Sequence, residues 1–106
     1  MSTDWITRIG INETRLNTAC DATKELEHAM ETLESLQPEI LALYAYYTSQ
    51  TWLADHDSMV RNEVPEGLPC GVLTEDAVYD LMTDHMRLAA RLRELADVLE
   101  RTVHDA

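Results

Sequence analysis

Phenylalanine is absent from this chain, and glycine and proline occur three times each. With few glycines and few β-branched runs, helices are favoured over a sheet. Basic residues are also scarce. Eight Lys and Arg stand against twenty Asp and Glu, for a formal net charge of −12. Nonspecific nucleic-acid binding needs clustered Lys and Arg, so direct contact with nucleic acid is not expected. The same deficit argues against an anionic membrane surface. It leaves room for a basic protein partner, for divalent cations, for mimicry of nucleic acid, or for solubility alone.

Cysteine is nearly missing. Cys20 and Cys70 lack metal-ligand spacing and read as free thiols of a reducing compartment, Cys20 on a helix and Cys70 in a loop. The start Met1-Ser2-Thr3-Asp4 lacks the basic and apolar segments of a secretory signal. No apolar run approaches the ~20 residues of a membrane span. The expected location is therefore the cytoplasm. The 106 residues suit one domain, 1–106, with one core, and an apolar fraction of 45% lets it fold alone.

What is present is a long helical seam. Val78, Leu81, His85, Leu88, Leu92, Leu95 and Leu99 alternate by three and four residues. That spacing places them on one stripe of a helix, as in a coiled coil or helical bundle. Ahead of it, Ile9, Leu16, Ala19, Leu26, Met30 and Leu33 form a similar stripe, interrupted by Asn12 and Thr23. This first helix is expected to start near Thr3 or Asp4, weakly because of Gly10, and to end or kink at Pro38. Ile40 to Tyr47 predict a short apolar helix, and Ser49 predicts the cap of a third. Residues 63–74, with two prolines and two glycines, read as a packed-down loop without helix. Thr74 is expected to cap the last helix, with Glu75 and Asp76 in its first turn.

The predicted fold is all-α: a three-helix-like bundle of two long helices with a broken, two-helix middle leg. Charge order supports an up-down-up arrangement. The last helix is acidic at its start and basic at Arg87, Arg91, Arg93 and Arg101, while the first is acidic at its end, from Glu25 to Glu34. Parallel first and last helices bring acid to base. Exposed pairs contribute only ~0.2–1 kcal/mol each, so they select an arrangement more than they stabilise it.

Two segments carry a family resemblance. These are Tyr46-Tyr47-Thr48-Ser49-Gln50-Thr51-Trp52-Leu53-Ala54-Asp55 and Cys70-Gly71-Val72-Leu73-Thr74-Glu75-Asp76-Ala77-Val78-Tyr79-Asp80-Leu81. A Tyr-Tyr pair, small residues, a Trp and an Asp are followed by a Gly-Val-Leu-Thr-Glu-Asp cap before the last helix. The chain resembles the DUF4298 family of domains of unknown function. The resemblance implies a compact bacterial helical domain and brings neither an activity nor catalytic residues.

Candidate chemistry is sparse. Glu25-Leu26-Glu27-His28 has the Glu-x-x-His spacing of di-iron bundles, which need two such motifs on facing helices. Asp76, Asp80 and Asp84 share a helix face that Asp55, His56 and Asp57 can approach, and all-helical nucleotide hydrolases use such carboxylates to hold metal. The Glu31-x-x-Glu34 pair they would need falls at the opposite end of the expected bundle. A metal site at His28, His56 and His85 is not expected. His85 reads as a core histidine satisfied by Tyr44, Tyr47 or a backbone carbonyl. Tyr44 and Tyr47 are expected to face the core and Tyr46 the surface. No Ser-His-Asp set, glycine-rich phosphate loop or cysteine metal pair is visible.

Residues 55–84 hold eight acids against one base, Arg61, which is −7 of the −12. A concentrated negative field steers a basic partner and raises its association rate. The expected function is a non-enzymatic protein-binding or regulatory module without a cofactor, an inhibitor or immunity-type partner of a basic protein. Its expected binding residues are Asp55, Asp57, Glu63, Glu66, Asp76, Asp80 and Asp84. A nucleic-acid mimic and a carboxylate-metal nucleotide hydrolase are the alternatives. A homodimer is compatible with such a seam.

Overall fold

The structure is a computed structural model that describes residues 3–106. All regular elements among the described residues are helical: α1 (Asp4–Ser35), α2 (Gln37–Tyr47), α3 (Gln50–Val60) and α4 (Ala77–Asp105), with a 3-10 turn at Gly71–Leu73. The chain divides into two compact units, one ending at Leu41 and one running from Ala42 to Ala106.

In the first unit, α1 runs 32 residues without a break, carrying Gly10 in its interior. Thr3 is its N-cap as expected, but through its backbone: its carbonyl accepts from the amides of Ile6 and Thr7, and its side chain forms no capping bond. The polar interruptions of the apolar stripe are satisfied inside the helix. Asn12 donates to the Arg8 carbonyl at 2.9 Å and Thr23 to that of Ala19 at 2.8 Å, so neither needs a partner across a seam. No residue of α1 is buried, and Ile9, Leu16 and Met30 are exposed. The helix ends at Leu36, and Pro38 occupies the first turn of α2, where its missing amide costs nothing.

The second unit holds the core. Ser49 caps α3 as its sequence position predicts, accepting from the Trp52 amide at 3.2 Å. Trp52, Leu73 and Val78 are 8%, 7% and 3% exposed. They bring together α3, the 3-10 turn and the start of α4. The Trp52 indole donates to the Val72 carbonyl at 2.9 Å, which satisfies the polar edge of a buried ring and anchors the 61–76 segment. Tyr47 packs edge-on against Trp52 with centroids 5.2 Å apart, and its hydroxyl donates to the Glu75 carbonyl at 3.1 Å. On the other side, His56 stacks on the indole at 5.0 Å. The seam histidine has the partner expected for it: Tyr44 Oη and His85 Nδ1 are joined at 2.7 Å.

Three local expectations are corrected. Residues 71–73 form a 3-10 turn inside the loop, because a single i→i+3 turn tolerates glycine where an α-helix does not extend. Thr74 does not cap α4. Its hydroxyl donates to the Gly71 carbonyl at 2.7 Å and closes the 3-10 turn instead. The N-cap is Asp76, without a side-chain bond, so the first-turn acid of α4 is Asp80. The seam of α4 is also unevenly covered. Val78 is buried, Leu81, His85 and Leu92 are half-buried, and Leu88, Leu95 and Leu99 are exposed. No helix among the described residues is long and apolar enough to cross a membrane.

Candidate functional site

The second unit contains a cleft of about 360 Å³ bounded by the end of α2, α3 and the loop that follows it. Its construction begins at the C-terminus of α3. Asn62 adopts a left-handed backbone with φ 58°. The Asn62 amide donates to the Met59 carbonyl at 3.0 Å, and the Glu63 amide to that of Ser58 at 2.9 Å. This is a Schellman motif with asparagine in the left-handed position. It turns the chain back on α3 and sets Glu63 at the cleft rim. A second turn follows, closed by the Leu68 amide on the Pro65 carbonyl at 3.3 Å, with Gly67 at φ 86°. Positive φ at the third position of a four-residue turn is the glycine-dependent type II geometry.

Val64, Pro65, Leu68, Pro69, Val72 and Leu73 make the apolar walls, with Cys70 and Ser58 beside them. Two tight turns and two prolines hold these walls with little backbone freedom to lose on binding. The polar end is Tyr46 and Asp55. The Tyr46 hydroxyl donates to Asp55 Oδ2 at 2.6 Å. Tyr46 was expected at the surface, yet it is half-buried in this pair. The two-residue break at Thr48–Ser49 separates α2 from α3, and the Tyr46 side chain reaches across it to α3. The hydrogen bond to Asp55, with desolvation and the Asp55 charge, raises the Tyr46 pKa above the ordinary 10.0. Desolvation raises that of Tyr44 as well.

The seven acids expected to bind a partner fall in three places. Asp55 and Glu63 line the cleft, and Glu66 projects from the adjacent type II turn. Asp57, on the next position of α3, is exposed and does not line it. Asp76 caps α4 through its backbone, accepting from the Asp80 amide at 2.7 Å, and Asp80 is exposed one turn on. Asp84 pairs with Arg87 on α4, and Glu63 with Arg61 at 3.0 Å. Both pairs are exposed and contribute ~0–1 kcal/mol.

Sequence reasoning did not find Tyr46 or the wall residues 64–73 as a site. The one signal in the sequence is the short break at 48–49, which leaves the end of α2 and α3 close along the chain. Cys20 and Cys70 are free thiols, as expected, with Cys70 Sγ donating to the Leu68 carbonyl at 3.2 Å. Among the described residues, no group of three His, Cys, Asp or Glu side chains converges as a metal ion requires.

The fold and cleft define a small all-helical protein with a braced, apolar-walled recess that carries carboxylates. It belongs to the DUF4298 family: the family model, a domain of unknown function, matches residues 10–95. No curated protein and no solved structure matches the chain.

Proposed function

We propose that the protein is a non-enzymatic binding module that docks a basic protein partner through the acidic face of residues 55–84. One observation carries this reading: Asp55 and Glu63 flank a pre-formed apolar cleft, and Glu66 stands beside it. Apolar walls supply affinity, and carboxylates at the edge supply orientation and selection against acidic proteins. Asp76, Asp80 and Asp84 extend the negative field along α4 and steer the approach. The scaffold in this proposal is a three-helix-like bundle with a broken middle leg.

Affinity capture with the intact chain, followed by identification of what is retained, tests the proposal. A basic protein should be held by the wild type and by Glu27→Lys and Glu31→Lys on α1. It should be released by Glu66→Lys and Asp80→Lys. Equal release by all four variants would show that total charge acts and that no binding face exists.

A further inference from the structure

We infer that the cleft seats a single arginine side chain of the partner, with its guanidinium on Asp55 and Glu63 and its stem along Pro65, Leu68 and Pro69. This inference rests on the proposed docking of a basic partner and specifies the chemistry of the contact.

Size comes first. A volume of about 360 Å³ lies at the lower end of the ~300–1,000 Å³ of small-ligand sites. It holds one side chain and excludes a helix. Chemistry comes next. No Lys, Arg or His lines the cleft, and the Arg61 guanidinium at its rim is committed to Glu63, so Asp55 has no cation beside it. A purely apolar occupant would strip water from Asp55 and return no hydrogen bond. A cation on an alkyl stem meets both demands.

The remaining acceptors favour guanidinium over ammonium. On Asp55 the Tyr46 hydroxyl takes Oδ2, leaving Oδ1 to accept. On Glu63 the Arg61 guanidinium takes Oε1 at 3.0 Å, leaving Oε2. The Tyr46 oxygen keeps its lone pairs while its proton is committed to Asp55. Several acceptors around one recess match the fixed fork of five guanidinium donors better than the three donors of a compact, strongly hydrated ammonium. The Arg61–Glu63 pair is an internal precedent, since this rim already accepts a guanidinium from its own chain. The Tyr46–Asp55 bond holds the Asp55 carboxylate in one orientation before any ligand arrives, which reduces the ordering cost of binding.

The test is an NMR titration of the full-length, isotope-labelled protein with n-butylguanidinium, n-butylammonium and the neutral n-butylurea. Saturable shifts at the amides of Asp55, Glu63, Leu68 and residues 70–72 are expected with n-butylguanidinium. Weaker ones are expected with n-butylammonium, and none with n-butylurea. Asp55→Asn should weaken n-butylguanidinium binding about tenfold, in line with loss of a charge-assisted hydrogen bond. The exposed rim variant Glu63→Gln should weaken it without risk to folding, and Glu27→Gln should leave it unchanged. Shifts spread over all acidic residues without saturation would overturn the inference, as would equal response to n-butylurea. Either result is separable from failure of the docking proposal itself, which the capture experiment reads independently.

Discussion

The phenol of Tyr46 donates to the carboxylate of Asp55, nine residues on and across the two-residue break between α2 and α3, at 2.6 Å. The bond joins the end of α2 to α3, supports one wall of the cleft and holds a carboxylate that the proposed partner would meet. Because its acceptor is an anion, it ties the ionisation of Tyr46 to the integrity of the site.

That coupling predicts an alkaline effect with a definite sign. The folded-state pKa of Tyr46 lies above the ordinary 10.0. The folded protein therefore retains a proton that the unfolded chain releases. The stabilisation is fully present below about pH 10 and is lost as pH rises through the folded value. Tyrosinate absorbance should show Tyr46 ionising above the ordinary 10.0. Asp55→Asn should bring it earlier. An unchanged titration in Asp55→Asn would show that the bond does not govern Tyr46.

The Schellman turn predicts a contrast at one position. Asn62 has φ 58°, where a residue with a Cβ and no local hydrogen-bonding side chain pays roughly 1–2 kcal/mol. Asn62→Ala should lower stability by about that amount, and Asn62→Gly should be tolerated. Denaturant unfolding of the two variants checks this. Equal loss in both would point to the asparagine side chain rather than the backbone.

The α3 cap and its tryptophan predict two graded losses. Ser49→Ala removes the acceptor of the Trp52 amide and should cost about 0.5–2 kcal/mol. Trp52→Ala should cost about 3–5 kcal/mol, as a large buried ring does. It should also free the 61–76 loop by deleting the bond to Val72. Hydrogen exchange of the loop amides should then rise in Trp52→Ala far more than in Ser49→Ala. Comparable exchange in both would assign the anchoring to the cap.

Local chemistry made much of this legible in the sequence. Pro38 and Ser49 marked the helix breaks because proline lacks an amide and serine offers an acceptor to the next turn. His85 called for a partner because a polar residue on an apolar stripe must be hydrogen-bonded, and Tyr44 supplies it. Tyr46 was harder to read, since its bond to Asp55 depends on how two helices meet at their joint, which periodicity within either helix does not encode. The cap of α4 lies two residues beyond Thr74, at Asp76. Thr74 has a nearer carbonyl, that of Gly71, and closes the 3-10 turn with it.

The seam of α4 carries a graded prediction. Val78 is 3% exposed, whereas Leu99 is 55% exposed. Val78→Ala should lower the melting temperature more than Leu99→Ala does, because only the first opens a cavity in the core. Equal shifts in the two variants would contradict the core placed at the start of α4.

The most direct measurement of the central claim is the association rate of the captured basic partner as a function of ionic strength, for the wild type and for charge reversals at two places. Rising salt shortens the screening length from about 10 Å at 0.1 M to 3 Å at 1 M, so the wild-type rate should fall steeply. Glu66→Lys and Asp80→Lys should lower the rate at low salt and flatten its salt dependence, while Glu27→Lys and Glu31→Lys should leave both close to wild type. A rate that ignores salt, or that responds equally to all four reversals, would contradict a binding face at residues 55–84.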